Sequence, residues 1–156
     1  MIYSKTCEYA VRALAYMADS KDERLIMIPE ISDQTGVPQA YISKIFQGLV
    51  RQDILSSQRG PAGGFRFKRN PETLTLKEII ESVDDLSMLE ECVMGLDRCD
   101  AGNACPLHYI WVKAKEEMIQ KLSRCTLSRL TKEIGKSGYR ELKRSRLNIT
   151  LQLGTA

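Results

Sequence analysis

Residues 41–65 read YISKIFQGLVRQDILSSQRGPAGGF, and two patterns in this stretch decide the fold. The first is a run of apolar residues at the spacing of one helix face: Ile42, Ile45, Phe46, Leu49 and Val50. The second is a strand from Leu55 to Arg59, a glycine-rich turn at 60–64, and a segment at 65–68 that alternates apolar and basic residues. It predicts a β-hairpin whose open face is basic.

The residues before this stretch predict two more helices. The first runs from about Lys5 to Ala18, because apolar residues recur there at three- and four-residue steps. The second is short, opened by Pro29 and closed by Gly36. A short helix, a tight turn and a longer amphipathic helix form a helix-turn-helix, and a hairpin directly after it is a wing.

Three helices are predicted after the wing. Thr75 and Glu78 form a capping box that opens a helix over Leu76 to Val83. A long helix follows from about Cys105 to about Arg124, roughly 30 Å in length. Thr126 caps a last short helix that ends at Ile134. The long helix carries one apolar stripe: Leu107, Trp111, Ala114, Met118 and Leu122.

The rest of the chain offers nothing to cover that stripe, so we expect a second copy of the protein to cover it. The expected fold is mainly α with a small β-hairpin wing: a winged helix-turn-helix followed by a long dimerisation helix. It divides into a DNA-binding domain at 1–84, a cysteine-bearing loop at 85–104, the dimerisation and terminal helices at 105–134, and a basic, weakly ordered tail at 135–156.

Charge is distributed unevenly along the 156 residues. The whole chain has 23 basic and 20 acidic side chains, a net charge of +3. Residues 1–70 carry 10 and 7 (net +3), residues 71–112 carry 2 and 9 (net −7), and residues 113–156 carry 11 and 4 (net +7). Because the middle block would repel phosphate, nucleic acid must meet one of the basic ends.

The sequence predicts a cytoplasmic protein with no membrane partner. No apolar run approaches the roughly 18 to 20 residues of a membrane span. Glu8 and Arg12 interrupt the N-terminal stretch in which a signal peptide would need an apolar core. In the cytoplasm the five cysteines are expected to be reduced, which favours metal binding or redox chemistry over a structural disulfide.

The outward face of the helix in 41–65 and the wing predict a DNA-binding surface. Gln and Lys near the start of a recognition helix can read base edges, so Gln39, Ser43 and Lys44 are the base-reading candidates. Basic and aromatic side chains around them suit phosphate contacts. The predicted DNA-binding residues are Gln39, Ala40, Tyr41, Ser43, Lys44, Arg51, Arg59, Gly60, Pro61, Gly63 and Arg66, with Lys68 as a further phosphate candidate. The alternative is a merely solvated polar face.

Three cysteines in the acidic block have the spacing C-x6-C-x5-C: Cys92, Cys99 and Cys105. His108 follows one turn later. Closely spaced thiolates on a glycine-containing loop can bind an iron–sulfur cluster or a zinc ion. A disulfide switch without metal is the third possibility. Cys7 and Cys125 lie on or beside helices and are expected to be small buried residues.

Glu8 is open to two interpretations. A carboxylate near the start of a helix usually compensates the helix dipole. It could also complete a metal site that belongs to another subunit.

Four segments together resemble the Rrf-type winged-helix regulators, a family that includes the iron–sulfur sensors IscR and NsrR. The resemblance extends to about residue 135 and is carried by SKTCEYAVRAL, YISKIFQGLVRQDILSSQRGPAGGF, LTLKEIIESVDD and the cysteine and histidine set. It implies a homodimeric repressor or activator that binds a double-stranded DNA operator with two half-sites and senses iron–sulfur, nitric oxide or oxygen status.

The resemblance also implies ligands for a cluster. IscR-like members bind a [2Fe-2S] cluster with three cysteines and a histidine, which here are Cys92, Cys99, Cys105 and His108. NsrR-like members take an acidic fourth ligand from the partner's first helix, often around a [4Fe-4S] cluster, and Glu8 occupies that position. The first cysteine spacing is one residue longer here than in IscR. Of the two sets, we expect His108 as the fourth ligand and a [2Fe-2S] cluster.

Other classes of protein fit the sequence less well. We expect no enzyme, since the one histidine lies among the cysteines and no acid–base pair or nucleophile stands out. An electron-transfer protein could use the same cluster, but it would have no use for a recognition helix and a basic wing. A zinc-stabilised regulator would bind DNA in the same way without sensing through iron.

Overall fold

The computed structural model describes residues 4–20, 24–84, 86, 91–92, 94–96 and 101–134. Within these residues lie six α-helices, one two-stranded sheet and a 3-10 turn at Ala101–Asn103. The elements are α1 (Lys5–Asp19), α2 (Ile28–Thr35), α3 (Gln39–Arg51), β1 (Leu55–Gln58), β2 (Gly64–Phe67), α4 (Leu76–Val83), α5 (His108–Arg124) and α6 (Leu127–Ile134). The predicted basic tail at 135–156 lies outside the described residues.

Helix α1 is the centre of the fold, and α2, α3, α4 and α6 all pack against it. Ser4 caps its N-terminus, since its hydroxyl accepts a hydrogen bond from the Cys7 backbone N–H at 3.1 Å. The apolar face that the sequence predicted for this helix is buried. Its fully buried side chains include Ala10, Ala13 and Leu14, which join the main hydrophobic core.

Helices α2 and α3 form the predicted helix-turn-helix. Pro29 lies in the first turn of α2, and Gly36 ends the helix in a left-handed conformation with φ 67°. In α3, four of the five predicted apolar residues are buried, and Val50 is half-buried. Phe46 contacts Phe65 of the wing edge-on, with ring centroids 5.1 Å apart, so the core ties the recognition helix to the hairpin.

The wing is an antiparallel hairpin in which Ser56 pairs with Arg66 and Gln58 with Gly64. Phe65 also exchanges two 2.9 Å backbone hydrogen bonds with Ile26, which adds a one-residue third strand. This bridge was not predicted, because a single paired residue leaves no periodic pattern in the sequence. It fixes strand β2 of the wing to the segment before α2.

The capping box that opens α4 is present as predicted. The backbone N–H of Thr75 donates to the Glu78 carboxylate at 2.9 Å, and the Glu78 N–H donates to the Thr75 hydroxyl at 3.3 Å. Arg69 adds an ion pair at 2.7 Å. The Thr75 hydrogen bond, followed by that of Arg69, lowers the pKa of Glu78 from 4.5 to about 2.

Helix α5 begins at His108, three residues later than predicted. The cause is Pro106, whose ring disfavours the α conformation for the preceding residue, Cys105. In the single chain, Leu107 and Ala114 of the predicted apolar stripe are exposed, and Trp111, Met118 and Leu122 are half-buried. The covered line lies beside the predicted one and consists of the buried His108 and the half-buried Trp111, Val112, Lys115, Met118, Ile119 and Leu122.

Helix α6 returns to the DNA-binding domain and packs on α1. Leu127 is fully buried in the main core, and its backbone N–H donates a hydrogen bond to the Leu74 carbonyl oxygen at 2.8 Å. Thr131 donates to the Ala15 carbonyl at 3.4 Å. The predicted cap is confirmed, since the Thr126 hydroxyl accepts from the Arg129 N–H at 3.3 Å. No helix among the described residues is long and apolar enough to span a membrane.

Candidate DNA interface and metal-binding segment

The predicted base-reading and phosphate residues of α3 lie on the side opposite to its buried face. Gln39, Tyr41, Lys44 and Arg51 are exposed, as is Ala40, while Ser43 is half-buried. Tyr41 is 51% exposed, but its ring packs edge-on against that of Tyr9 of α1, with the ring centroids 5.4 Å apart. Packing against α1 therefore holds Tyr41 in place.

The wing presents its predicted basic side chains to solvent. Arg59 and Arg66 are exposed, together with Gly60 and Pro61 at the tip. Lys68 differs, because its ammonium lies 2.7 Å from the Asp53 carboxylate. That ion pair offsets its charge, which makes Lys68 a weaker phosphate candidate than Arg66.

The tip of the wing requires glycine at position 63. The Gly63 backbone N–H donates to the Gly60 carbonyl at 2.9 Å, which closes a tight turn. A Cβ atom at Gly63 would lie 2.3 Å from the Gln58 carbonyl oxygen and 2.8 Å from that of Gly60. Gly63 is buried, so its predicted role in DNA binding is to shape the tip rather than to touch the duplex.

Helix α3 and the wing enclose a groove of about 500 Å³ that brings Arg51 and Arg59 to one place. Gln47, Ser57 and Gln58 also line it. Ser57 and Gln58 were not among the predicted DNA-binding residues, since neutral polar residues on a strand give no charge signal.

A second groove of about 300 Å³ lies on the other side of α3 and is lined by Lys44, Arg51, Tyr41 and Thr6, among others. None of the described residues that line either groove carries a carboxylate. The two sides of α3 thus offer cations and hydrogen-bond donors without a competing negative charge, as a phosphate backbone requires.

Two hydrogen bonds connect the cysteine-bearing segment to the start of α5. The indole Nε1 of Trp111 donates to the backbone carbonyl of Glu91 at 3.0 Å, next to Cys92. The backbone N–H of His108 donates to the Cys105 carbonyl at 2.9 Å, so these two residues share one turn. Cys92 and His108 are buried, and Cys105 is half-buried.

The chemistry of these donors fits a thiolate-ligated metal group. Thiolate sulfur and imidazole nitrogen are ligands of iron–sulfur clusters and of zinc. Among the described residues, no three cysteine, histidine or acidic side chains converge closely enough to hold a metal ion. Cys99, the middle member of the predicted set, lies outside the described residues.

Glu8 is held by two cations on its own helix. Its carboxylate forms ion pairs with Lys5, at 2.6 Å, and with Arg12. Arg12 is 2% exposed, and its Nε and Nη1 atoms are buried and have no hydrogen-bond partner among the described residues. Glu8 would have to leave Arg12 in order to bind a metal of another subunit. Its role as an alternative ligand stays a prediction.

The cysteines outside the loop have weakly acidic thiols. Burial, with a smaller effect of the Asp84 charge, raises the pKa of Cys7 from 9.0 to about 12. Burial and then Glu133 raise the pKa of Cys125. Because the thiolate is the reactive form, both residues are poor nucleophiles and poor ligands. Cys7 is buried as predicted, whereas Cys125 is only half-buried.

The helix-turn-helix, its wing and the cationic grooves beside α3 define a winged-helix DNA-binding protein. A model of the Rrf2 family, described as iron-dependent transcriptional regulators, matches residues 3–133. The chain belongs to the Rrf2 family of transcriptional regulators, which confirms the predicted family and fold.

Relatives of the chain carry regulator names. An IscR of Xenorhabdus nematophila is 29% identical over 124 residues, which cover 80% of this chain and 75% of that protein. A protein of Aquifex aeolicus classed among the HTH-type transcriptional regulators is 33% identical over 120 residues, covering 76% of this chain and 83% of that one. Both relatives are named as transcriptional regulators and neither as an enzyme.

A solved structure with the same fold is that of CymR, the global cysteine regulator of B. subtilis. It superimposes with a TM-score of 0.71 at 18% identity, over 85% of this chain and 98% of that one. At this identity the likeness supports the fold alone.

Proposed function

We propose that this regulator acts as a homodimer, reads an operator with two half-sites, and senses redox or nitric oxide status through an iron–sulfur cluster held by its cysteine segment. The observation that carries the DNA-binding part is the pair of carboxylate-free grooves on either side of α3, with Arg51 in both. A helix flanked by such grooves can enter the major groove while both phosphate strands face cations.

Within this arrangement the residues of α3 and of the wing make different contacts with DNA. Gln39, Ser43 and Lys44 read base edges in the major groove, because they lie in its first two turns. Tyr41, Arg51 and Arg59 hold phosphates and fix the position of the helix. The wing presents Arg66 to the neighbouring phosphates or minor groove.

Helix α5 supports the homodimer. In the part of the chain that the structure describes, no apolar side chain of this 17-residue helix is buried, and Tyr109 and Ile110 are 73% and 69% exposed. A helix about 25 Å long with large exposed apolar side chains gains stability when a second copy covers it. A two-fold dimer would present two recognition helices to two half-sites.

Cys92, Cys99, Cys105 and His108 are the proposed cluster ligands, with [2Fe-2S] as the proposed cluster. The hydrogen bonds that join Glu91 to Trp111 and Cys105 to His108 support this set, because they keep the described donors beside the first turns of α5. The alternative is a [4Fe-4S] cluster with Glu8 of the partner subunit as fourth ligand.

A bound cluster would supply a redox-active, thiolate-ligated iron centre. The residues of the chain provide the coupling: the proposed ligands come from the loop after α4 and from the start of α5. A cluster that binds one arrangement of these segments more tightly than another stabilises that arrangement by the difference in binding free energy. The DNA affinity then changes with the population of the two arrangements. Release of the ligands would loosen the loop between the DNA-binding domain and the dimer helix.

The test is purification without oxygen, followed by the visible spectrum and by iron and acid-labile sulfide assays. Broad visible bands with equal iron and sulfide are expected, and the metal-to-protein ratio distinguishes two irons from four. His108→Ala should change the spectrum, whereas Glu8→Gln, the matched control, should preserve it. The reverse result would select Glu8 and the [4Fe-4S] alternative.

A second candidate function keeps the regulator and replaces the cluster by a zinc ion or a cluster-free thiol switch at the same cysteines. It is favoured by the half-buried position of Cys105, since a partly exposed thiol can be oxidised without a metal. A protein that stays colourless after attempted reconstitution with iron and sulfide would establish this candidate. Zinc analysis would then separate its two forms.

A further inference from the structure

Trp111 joins α5 to the segment that carries the proposed ligand Cys92. It is the one tryptophan of the chain, it lies on the covered line of α5, and its indole N–H donates to the Glu91 carbonyl at 3.0 Å. The ammonium of Lys115, one turn further on, lies 5.9 Å from the ring centroid and covers the indole from the same helix. A large planar ring held in this way has little freedom, so its N–H is a well-fixed donor.

The acceptor of this bond belongs to a compact turn. Glu91 directly precedes Cys92, and the Cys92 carbonyl accepts a 2.9 Å hydrogen bond from the Gly95 N–H. Gly95 has φ 72°, a left-handed conformation that favours glycine. The indole N–H therefore binds Glu91, the residue directly before the turn that the Gly95–Cys92 hydrogen bond closes.

Each end of this contact lies close in the chain to a proposed ligand, Cys92 at one end and His108 at the other. Trp111 lies three residues after His108, so the two side chains share one side of α5. His108 is 7% exposed and Cys92 is 9% exposed, although Leu107 and Tyr109 beside His108 are 41% and 73% exposed. The buried side of the first turn of α5 is thus the side on which the indole holds the cysteine segment.

We propose that Trp111 is a positioning residue that fastens the Cys92 turn to α5 and keeps it beside His108 before any metal is bound. The inference rests on the proposed ligand role of Cys92. A turn already held in place loses less conformational freedom when it binds a metal, so the holo form gains stability and its ligands dissociate more slowly.

The chain offers a matched pair of variants, because the acceptor is a backbone carbonyl. Trp111→Phe removes the donor and keeps an aromatic ring. Glu91→Ala changes the exposed side chain at the other end and leaves the carbonyl that accepts the bond. Since there is a single tryptophan, replacement of tryptophan by benzothienylalanine would exchange only this N–H for sulfur and preserve the ring shape.

The first measurement uses metal-free, reduced protein and the rate at which iodoacetamide labels Cys92, read by peptide mass spectrometry. Labelling of a buried thiol requires local opening, so loss of one hydrogen bond should accelerate it about two- to tenfold. We expect this in Trp111→Phe and in the benzothienylalanine protein, but not in Glu91→Ala. Cys7, fully buried in the core, is the internal control for global unfolding.

The second measurement is the rate at which a chelator removes iron from the anaerobically loaded protein. It should rise by a similar factor in the two donor-lacking variants alone. Unchanged Cys92 labelling in both would overturn the inference, even if the wild type binds a cluster. If the two donor-lacking variants label faster at Cys92 but the wild type never binds a cluster, the positioning role of Trp111 is supported and the cluster proposal is rejected instead.

Discussion

Substitution of Gly63 by alanine tests whether the shape of the wing tip matters for DNA binding. The added methyl would lie 2.3 Å from the Gln58 carbonyl oxygen, whereas carbon and oxygen in contact are about 3.3 Å apart. The tip must therefore shift by about 1 Å. Both obstructing atoms are backbone oxygens of the hairpin, so no side-chain rotation relieves the clash.

The expected loss of DNA affinity follows from the strain that the added methyl group causes. Forcing an extra methyl into a packed position costs about 1–3 kcal/mol. In the unbound variant the exposed tip relaxes and avoids most of this cost, but a duplex that needs the native tip geometry requires it to be restored. Affinity should therefore fall about 5- to 150-fold, with a small change in the free energy of unfolding.

The assay is fluorescence anisotropy with a duplex selected by the wild-type protein from a random-sequence pool. Ala62→Ser is the matched control, because it adds one atom at an exposed position of the same tip. It should bind within about twofold of the wild type. Wild-type affinity in Gly63→Ala would refute the argument that tip geometry presents Arg59 and Arg66 to the duplex.

Three further results are expected. Lys44→Ala should weaken binding to the selected duplex by about 1–3 kcal/mol and to random duplex by less; equal losses would make Lys44 a phosphate contact. Leu127→Ala should lower the free energy of unfolding by about 2–5 kcal/mol in urea titrations, while Leu107→Ala, at an exposed site, should change it little. The pKa of Glu78 is lowered to about 2, so its stabilising effect is present above pH 4.5 and is lost as the pH falls toward 2. Glu78→Gln should cost about 1 kcal/mol at neutral pH and flatten that acid limb; an acid limb identical to that of the wild type would contradict this assignment.

The elements that the sequence predicted well depend on neighbours within one or two turns. The periodicity of Ile42 to Val50 specifies a helix face, and the alternation at 65–68 specifies a strand with one basic side. The capping box of Thr75 and Glu78 is equally local and was also confirmed. In each case the interacting groups are close in the chain, so their spacing alone carries the information.

The features that the sequence could not provide depend on distant partners. Nothing near Ile26 signals its bridge to Phe65, and nothing near Lys68 signals that Asp53 neutralises it. The start of α5 was misplaced because an apolar stripe was given more weight than the conformational effect of Pro106. Arg51 and Arg59 line one groove because of the angle between α3 and the hairpin. Packing determines that angle, and the local sequence does not show it.

The return of α6 to α1 has a consequence for the synthesis of the protein. The hydrogen bond from Thr131 to Ala15 spans 116 positions, and Leu127 fills the core that α1 begins. At 5–20 residues per second, a ribosome needs roughly 6 to 23 seconds to make the residues between them. Until then the core around α1 is incomplete on one side. A chain whose translation stops before α6 would lack a finished DNA-binding domain, and so it would not compete with intact regulators for their operators.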